Sequence, residues 1–117
     1  MSVEDLKKRT RSFALEIIRF VEKLPHSRIC RVVGDQLLRA ATSVGANYRA
    51  ACRARSRPDF IAKLKIVEEE CDESLYWLEL LMDAGSVERS EAGDLLEEGS
   101  EILSIIVTSI KTARSRC

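Results

Sequence analysis

Over residues 60–81 the chain returns an apolar or small side chain in steps of four and three: Phe60, Leu64, Val67, Cys71, Ser74, Leu78 and Leu81. Three heptads of this pattern place all seven side chains on one face of an α-helix, and such a face must be covered by other helices. The flanking punctuation agrees. Ser56 is a good N-cap, Pro58 suits a first turn, and Asp59 stands at the capping-box position. Gly85 is a natural stop. The spacing predicts a helix over 57–84.

Three more helix-period segments surround it. Over 3–24, Leu6, Phe13, Ile17, Phe20, Val21 and Leu24 share a face. Ser2 with Asp5 can cap this segment, and Pro25 ends it, because proline has no N–H to donate and disfavours helix in the residue before it. Over 27–55 the stripe is Val33, Leu37, Ala40, Val44, Asn47 and Ala51. The run over 40–46 is unusually small in side-chain size, which lets two helix backbones approach closely. Gly34 and Gly45 each cost about 1 kcal/mol of helix propensity against alanine, so packing is expected to hold this helix. Over 88–114, Ala92, Leu95, Gly99, Ile102, Ile106 and Ala113 form a stripe widened by Leu96, Leu103, Val107 and Ile110. Its acidic first half and basic end complement the helix dipole.

The chain has 117 residues, 45% of them apolar, with two prolines and five glycines. That suits one domain, 1–117, with one core. Four helices on short links predict an all-α, antiparallel up-down-up-down four-helix bundle.

Several chemistries lack their parts. Di-iron bundles use Glu-x-x-His pairs on two helices. Here the single histidine, His26, follows no glutamate at that spacing, and Pro25 separates it from Glu22. Cys30, Cys52, Cys71 and Cys117 form no C-x-x-C pair and resemble no zinc site. Cys71 lies on the core stripe. Cys30, near a helix start, has no partner motif that would make it a nucleophile. The acidic run from Glu68 to Glu73 reads as a solvated helix face. No glycine-rich phosphate loop is present. The reading is therefore no catalytic residues, no metal, no cofactor and no small-molecule substrate. With no N-terminal apolar leader and no membrane-length apolar run, a cytoplasmic chain with reduced thiols is expected.

The formal net charge is zero, yet residues 1–57 hold 13 Lys/Arg against 5 Asp/Glu, and residues 58–117 hold 6 against 14. Arg28, Arg31, Arg39, Arg49, Arg53, Arg55 and Arg57 cluster in the second segment and its exit, followed by Lys63 and Lys65. Arginine binds two phosphate oxygens through its planar fork. Arg39, Arg49, Arg53, Arg55, Arg57, Lys63 and Lys65 are thus candidate contacts for RNA or DNA, with Tyr48 placed to stack on a base. The alternative is a charged corner that serves solubility or pairs with acidic helices of the same or a neighbouring subunit. Tyr76, Trp77, Leu80 and Met82 flank the stripe of the third segment, giving more apolar surface than one core requires. Self-association is expected from this surplus, with Trp77 as an anchor.

The run Gln36-Leu37-Leu38-Arg39-Ala40-Ala41-Thr42-Ser43-Val44-Gly45-Ala46-Asn47-Tyr48-Arg49 resembles the signature of the bacterial four helix bundle protein family. That family was first noticed as reading frames in intervening sequences of the large-subunit ribosomal RNA gene. The blocks Arg53-Ala54-Arg55-Ser56-Arg57-Pro58-Asp59-Phe60-Ile61, with Lys63-Leu64 after it, and Leu75-Tyr76-Trp77-Leu78-Glu79-Leu80-Leu81 also look like that family. The resemblance covers essentially the whole chain. It implies a left-handed up-down bundle that assembles as a homopentamer. It also implies similarity to the accessory variability determinant proteins of diversity-generating retroelements, barrel-like pentamers with basic surfaces that engage nucleic acid. Many members carry an acidic residue shortly after the asparagine, where this chain reads Ala50-Ala51. Asn47 is accordingly read as a polar packing or interface residue, beside Tyr48, Tyr76, Trp77 and Leu80. A protein–protein scaffold without nucleic-acid binding is the alternative reading.

Overall fold

A computed structural model describes residues 1–116. Its four α-helices are α1 (Val3–Glu22), α2 (Arg28–Ala51), α3 (Arg57–Asp83) and α4 (Arg89–Ser115). Each helix starts where an oxygen is ready for an otherwise unpaired backbone N–H. The Ser2 hydroxyl accepts from the Asp5 N–H at 3.1 Å, and the Asp5 carboxylate accepts from the Ser2 N–H at 3.2 Å, which completes a capping box. Ser27 accepts from the Cys30 N–H at 3.1 Å, and Ser56 from the Asp59 N–H at 3.2 Å. The Asp59 carboxylate does not return a bond to Ser56. It accepts instead from the Arg55 N–H at 3.2 Å and from Lys63 Nζ at 2.7 Å, pinning the link before the helix. At α4 the Glu91 carboxylate accepts from the Glu88 N–H at 2.9 Å.

Two helix ends fall earlier than the spacing suggests. Lys23 and Leu24 donate to Phe20 and Val21 at 3.2 Å, tightening the last turn of α1 before Pro25. Arg53 and Ala54 donate to Ala50 and Ala51 at 3.0 Å, so α2 closes at Ala51 and not at residue 55. The chain then has to reverse into the extended backbone of the Ser56 cap, whose φ is −159°.

Packing follows the apolar stripes. The α2–α3 contact is the most extensive and the α1–α4 contact the sparsest, while the diagonal pairs make no close backbone approach among the described residues. Val3 of α1, Ala51 of α2, Phe60 of α3 and Ala113 of α4 meet at one end, so successive helices alternate in direction. The result is a rod of 49 × 20 × 20 Å, an all-α four-helix bundle. Phe13, Ile17, Leu37, Val44, Leu64, Val67, Leu78, Leu81, Ile102 and Ile106 are fully buried along its axis. The buried hydroxyls of Thr10 and Ser74 donate to the carbonyls of Leu6 (2.9 Å) and Glu70 (2.8 Å) one turn back, so neither lacks a partner. The sparse α1–α4 seam is closed by Arg9, whose guanidinium donates two 2.7 Å hydrogen bonds to the Glu98 carboxylate.

Candidate nucleic-acid interface

The basic residues occupy two elements and the link between them. Arg39 and Arg49 project from α2, Arg53 and Arg55 stand in the link, and Arg57, Lys63 and Lys65 belong to the first turns of α3. Arg39, Arg49, Arg53, Arg55 and Lys65 are exposed and form no ion pair among the described residues. The other two are engaged. Lys63 pairs with Asp59 at 2.7 Å, and the Arg57 guanidinium donates to the Arg116 carbonyl at the end of α4. Lys63, then the Arg55 N–H, hold the Asp59 carboxyl below its ordinary range.

These side chains do not converge on a point. Arg39 lies near Glu70 of α3, whose pKa burial and Glu73 raise and Arg39 partly offsets. Arg49 faces the other way, across a groove from Lys7 and Arg11 of α1. Those two α1 cations are absent from the sequence-derived set because they lie far along the chain from Arg49. Only the antiparallel pairing of α1 with α2 brings them close.

Tyr48 differs most from its expected role. It is 4% exposed and packs in the core, so it neither stacks on a base nor faces a partner. Burial, then the neighbouring Cys52 thiol, push its phenol above the ordinary tyrosine range. Its spacing gives the reason: Leu37, Ala41, Val44, Tyr48 and Ala51 step along the buried side of α2. Asn47 is half-buried, and its amide donates to the Ser43 carbonyl at 2.8 Å.

The outer side of α3 carries the apolar surplus. Tyr76 is 55% exposed and meets Trp77 edge to face at 5.0 Å between ring centroids. The half-buried Trp77 donates its indole N–H to Glu73 at 3.1 Å, and Leu80 is also half-buried. Ile29 and Val32 of α2 are exposed as well and were not singled out by spacing.

Among the described residues, no three His, Cys, Asp or Glu side chains group closely enough to hold a metal ion. Cys30 and Cys71 are buried, and burial pushes the Cys71 thiol up to about 12, well away from a reactive thiolate. Cys117 lies outside the described residues. None of the described helices is long and apolar enough to cross a membrane.

The family model for 23S rRNA-intervening sequence proteins matches residues 4–108. A solved structure from Bacteroides thetaiotaomicron, a protein with unknown function from the S23 ribosomal protein family, is 35% identical to the chain. It superposes with a TM-score of 0.88, covering 95% of this chain and 99% of that one. Comparison with curated proteins gives no match.

Proposed function

Because the chain belongs to the 23S rRNA-intervening sequence protein family, we propose that it is a non-enzymatic, self-associating bundle that binds RNA or DNA through the basic flank of α2 and its exit. One observation carries the reading: Arg39, Arg49, Arg53 and Arg55 are exposed and make no ion pair among the described residues, although acidic residues abound on α3 and α4. Arginines kept for intramolecular pairing would resemble Arg9, which is clamped by Glu98. Exposed guanidinia without ion-pair partners suit phosphate.

A filter-binding titration over a salt series tests this. Phosphate contacts release counterions, so affinity should fall steeply as salt rises. Replacing Arg49, Arg53 and Arg55 by alanine should weaken binding at least about tenfold and flatten the salt slope, with helicity retained. Absence of binding at low salt, or binding indifferent to salt, refutes the reading.

A second reading, a protein scaffold, is favoured by exposed Ile66 and Tyr76 on the same helix as half-buried Trp77 and Leu80. Its signature is an oligomer with no affinity for nucleic acid. The homopentameric assembly implied by the family resemblance belongs to both readings.

A further inference from the structure

We propose that the groove between α1 and α2 binds the phosphodiester backbone of a single-stranded polynucleotide, with Lys7, Arg11 and Arg49 as its cationic walls. The inference rests on the nucleic-acid reading above and moves its centre away from the α2–α3 link. The groove has a volume of about 340 Å³, and no carboxylate lines it. Its floor is Ala14, Thr42, Gly45 and Ala46. A Cβ on Gly45 would stand 3.5 Å from the Thr10 carbonyl oxygen, so the two backbones run close together under the floor. The small run over 40–46 thereby leaves an open trough with Lys7 and Arg11 on one wall and Arg49 on the other.

The cations of α1 are sorted by face. Arg9 points to α4 and spends its guanidinium on Glu98. Arg11 points to the groove, is exposed, and has no ion-pair partner among the described residues; the same holds for Arg49. Lys7 touches Glu4 at 3.4 Å, an exposed pair of adjacent turns that gives way easily to a phosphate. Lys7 and Arg11 are one turn apart, about 6 Å along the axis, a spacing suited to neighbouring phosphates of an extended strand. A duplex is too broad and convex to enter a trough between two adjacent helices. No aromatic side chain lines the groove, so the bases add no stacking and recognition is independent of sequence.

The test is fluorescence anisotropy of the full chain with labelled oligouridylate, oligothymidylate and a duplex over a salt series. Both single strands should bind more tightly than the duplex, and the tighter of the two identifies the occupant as RNA or DNA. Lys7→Ala with Arg11→Ala should cost at least about tenfold in affinity at low salt and reduce the salt slope by about 1.4, at about 0.7 per single-strand phosphate contact. Ala46→Glu, an exposed helical position, should abolish binding while the circular dichroism melt stays as in wild type. Preference for the duplex overturns the groove. So does wild-type affinity in the Lys7/Arg11 or Ala46 variants; if Arg53→Ala with Arg55→Ala is weakened at the same time, the wider nucleic-acid reading survives. No binding of any probe by the wild type overturns both.

Discussion

Gly85 alone among the described residues has a positive φ, +76°, and it sits at the point where α3 must stop. The Ser86 N–H reaches the Leu81 carbonyl at 3.0 Å and the Gly85 N–H reaches Met82 at 3.0 Å, so the orphan carbonyls of the last turn are satisfied by a Schellman closure. A Cβ there meets nothing within 4 Å, so the obstacle to substitution is conformational and not steric crowding. Gly85→Ala should lower stability by about 1–2 kcal/mol in urea unfolding, and Gly85→Asn by less, because asparagine tolerates the left-handed region. Two carboxylates make a second residue-scale expectation, with opposite signs. Asp59 is held below the ordinary aspartate range by Lys63 and the Arg55 N–H, so the folded state keeps it ionised more readily than the unfolded state does. Its contribution is present above the unfolded pKa and disappears as pH falls through the lower folded one. Glu70 is raised by burial and by Glu73, so the folded state holds its proton more firmly, and ionising it above its folded pKa works against the fold. Asp59→Asn should therefore flatten the acid limb of a melting-temperature profile, and Glu70→Gln should raise the melting temperature at neutral pH. A neutral-pH loss on Glu70→Gln would contradict the sign.

At the scale of elements, the glycines separate into those that shape a contact and those that merely occupy one. A Cβ on Gly99 would come within 2.8 Å of Leu75 and 3.3 Å of the Phe13 ring, so α4 approaches α1 and α3 closely there. One on Gly45 would meet Thr10 at ordinary contact distance. Gly45→Ala is therefore expected to hold or raise stability by up to about 1 kcal/mol from helix propensity. Gly99→Leu overpacks the centre and should cost about 1–3 kcal/mol; thermal melts of the two variants moving in the same direction would contradict this contrast. The helices themselves were readable because of local signals: Ser2 and Ser56 as caps, the heptad of α3, Pro25 and Gly85 as stops. The end of α2 was not readable. Nothing in the run from Ala51 to Arg55 breaks a helix, and the stop is imposed by the reversal into Ser56. Tyr48 was legible but misjudged, since its place on the Leu37–Val44–Ala51 side outweighs its neighbour Arg49. The groove partners Lys7 and Arg11 depend on the pairing of Thr10 with Gly45 across two helices, a tertiary register that no local pattern encodes.

At the scale of the whole molecule, α3 has two apolar sides, and four helices in a ring can cover only one of them. The inner side is the buried heptad. On the opposite side Ala62, Ile66, Glu69, Glu73, Tyr76 and Leu80 repeat the same four-and-three step, with Ile66 at 43% and Tyr76 at 55% exposure. Ile29 and Val32 at the start of α2 are also more than half exposed. A second copy of the chain is the occupant proposed for α3's outer side. Tyr76→Asp with Leu80→Asp introduces charge at exposed or half-exposed positions, so the bundle should stay folded while the assembly is lost. Truncating one central interface aromatic commonly costs about 2 kcal/mol, roughly thirtyfold in a dissociation constant. Two buried carboxylates should exceed that and leave a monomer at micromolar concentration in light scattering. The isolated monomer should then melt at a temperature independent of concentration, whereas wild type should melt higher as concentration rises. A wild-type chain that is monomeric at micromolar concentration, or a double variant that assembles as before, removes α3's outer side as the contact.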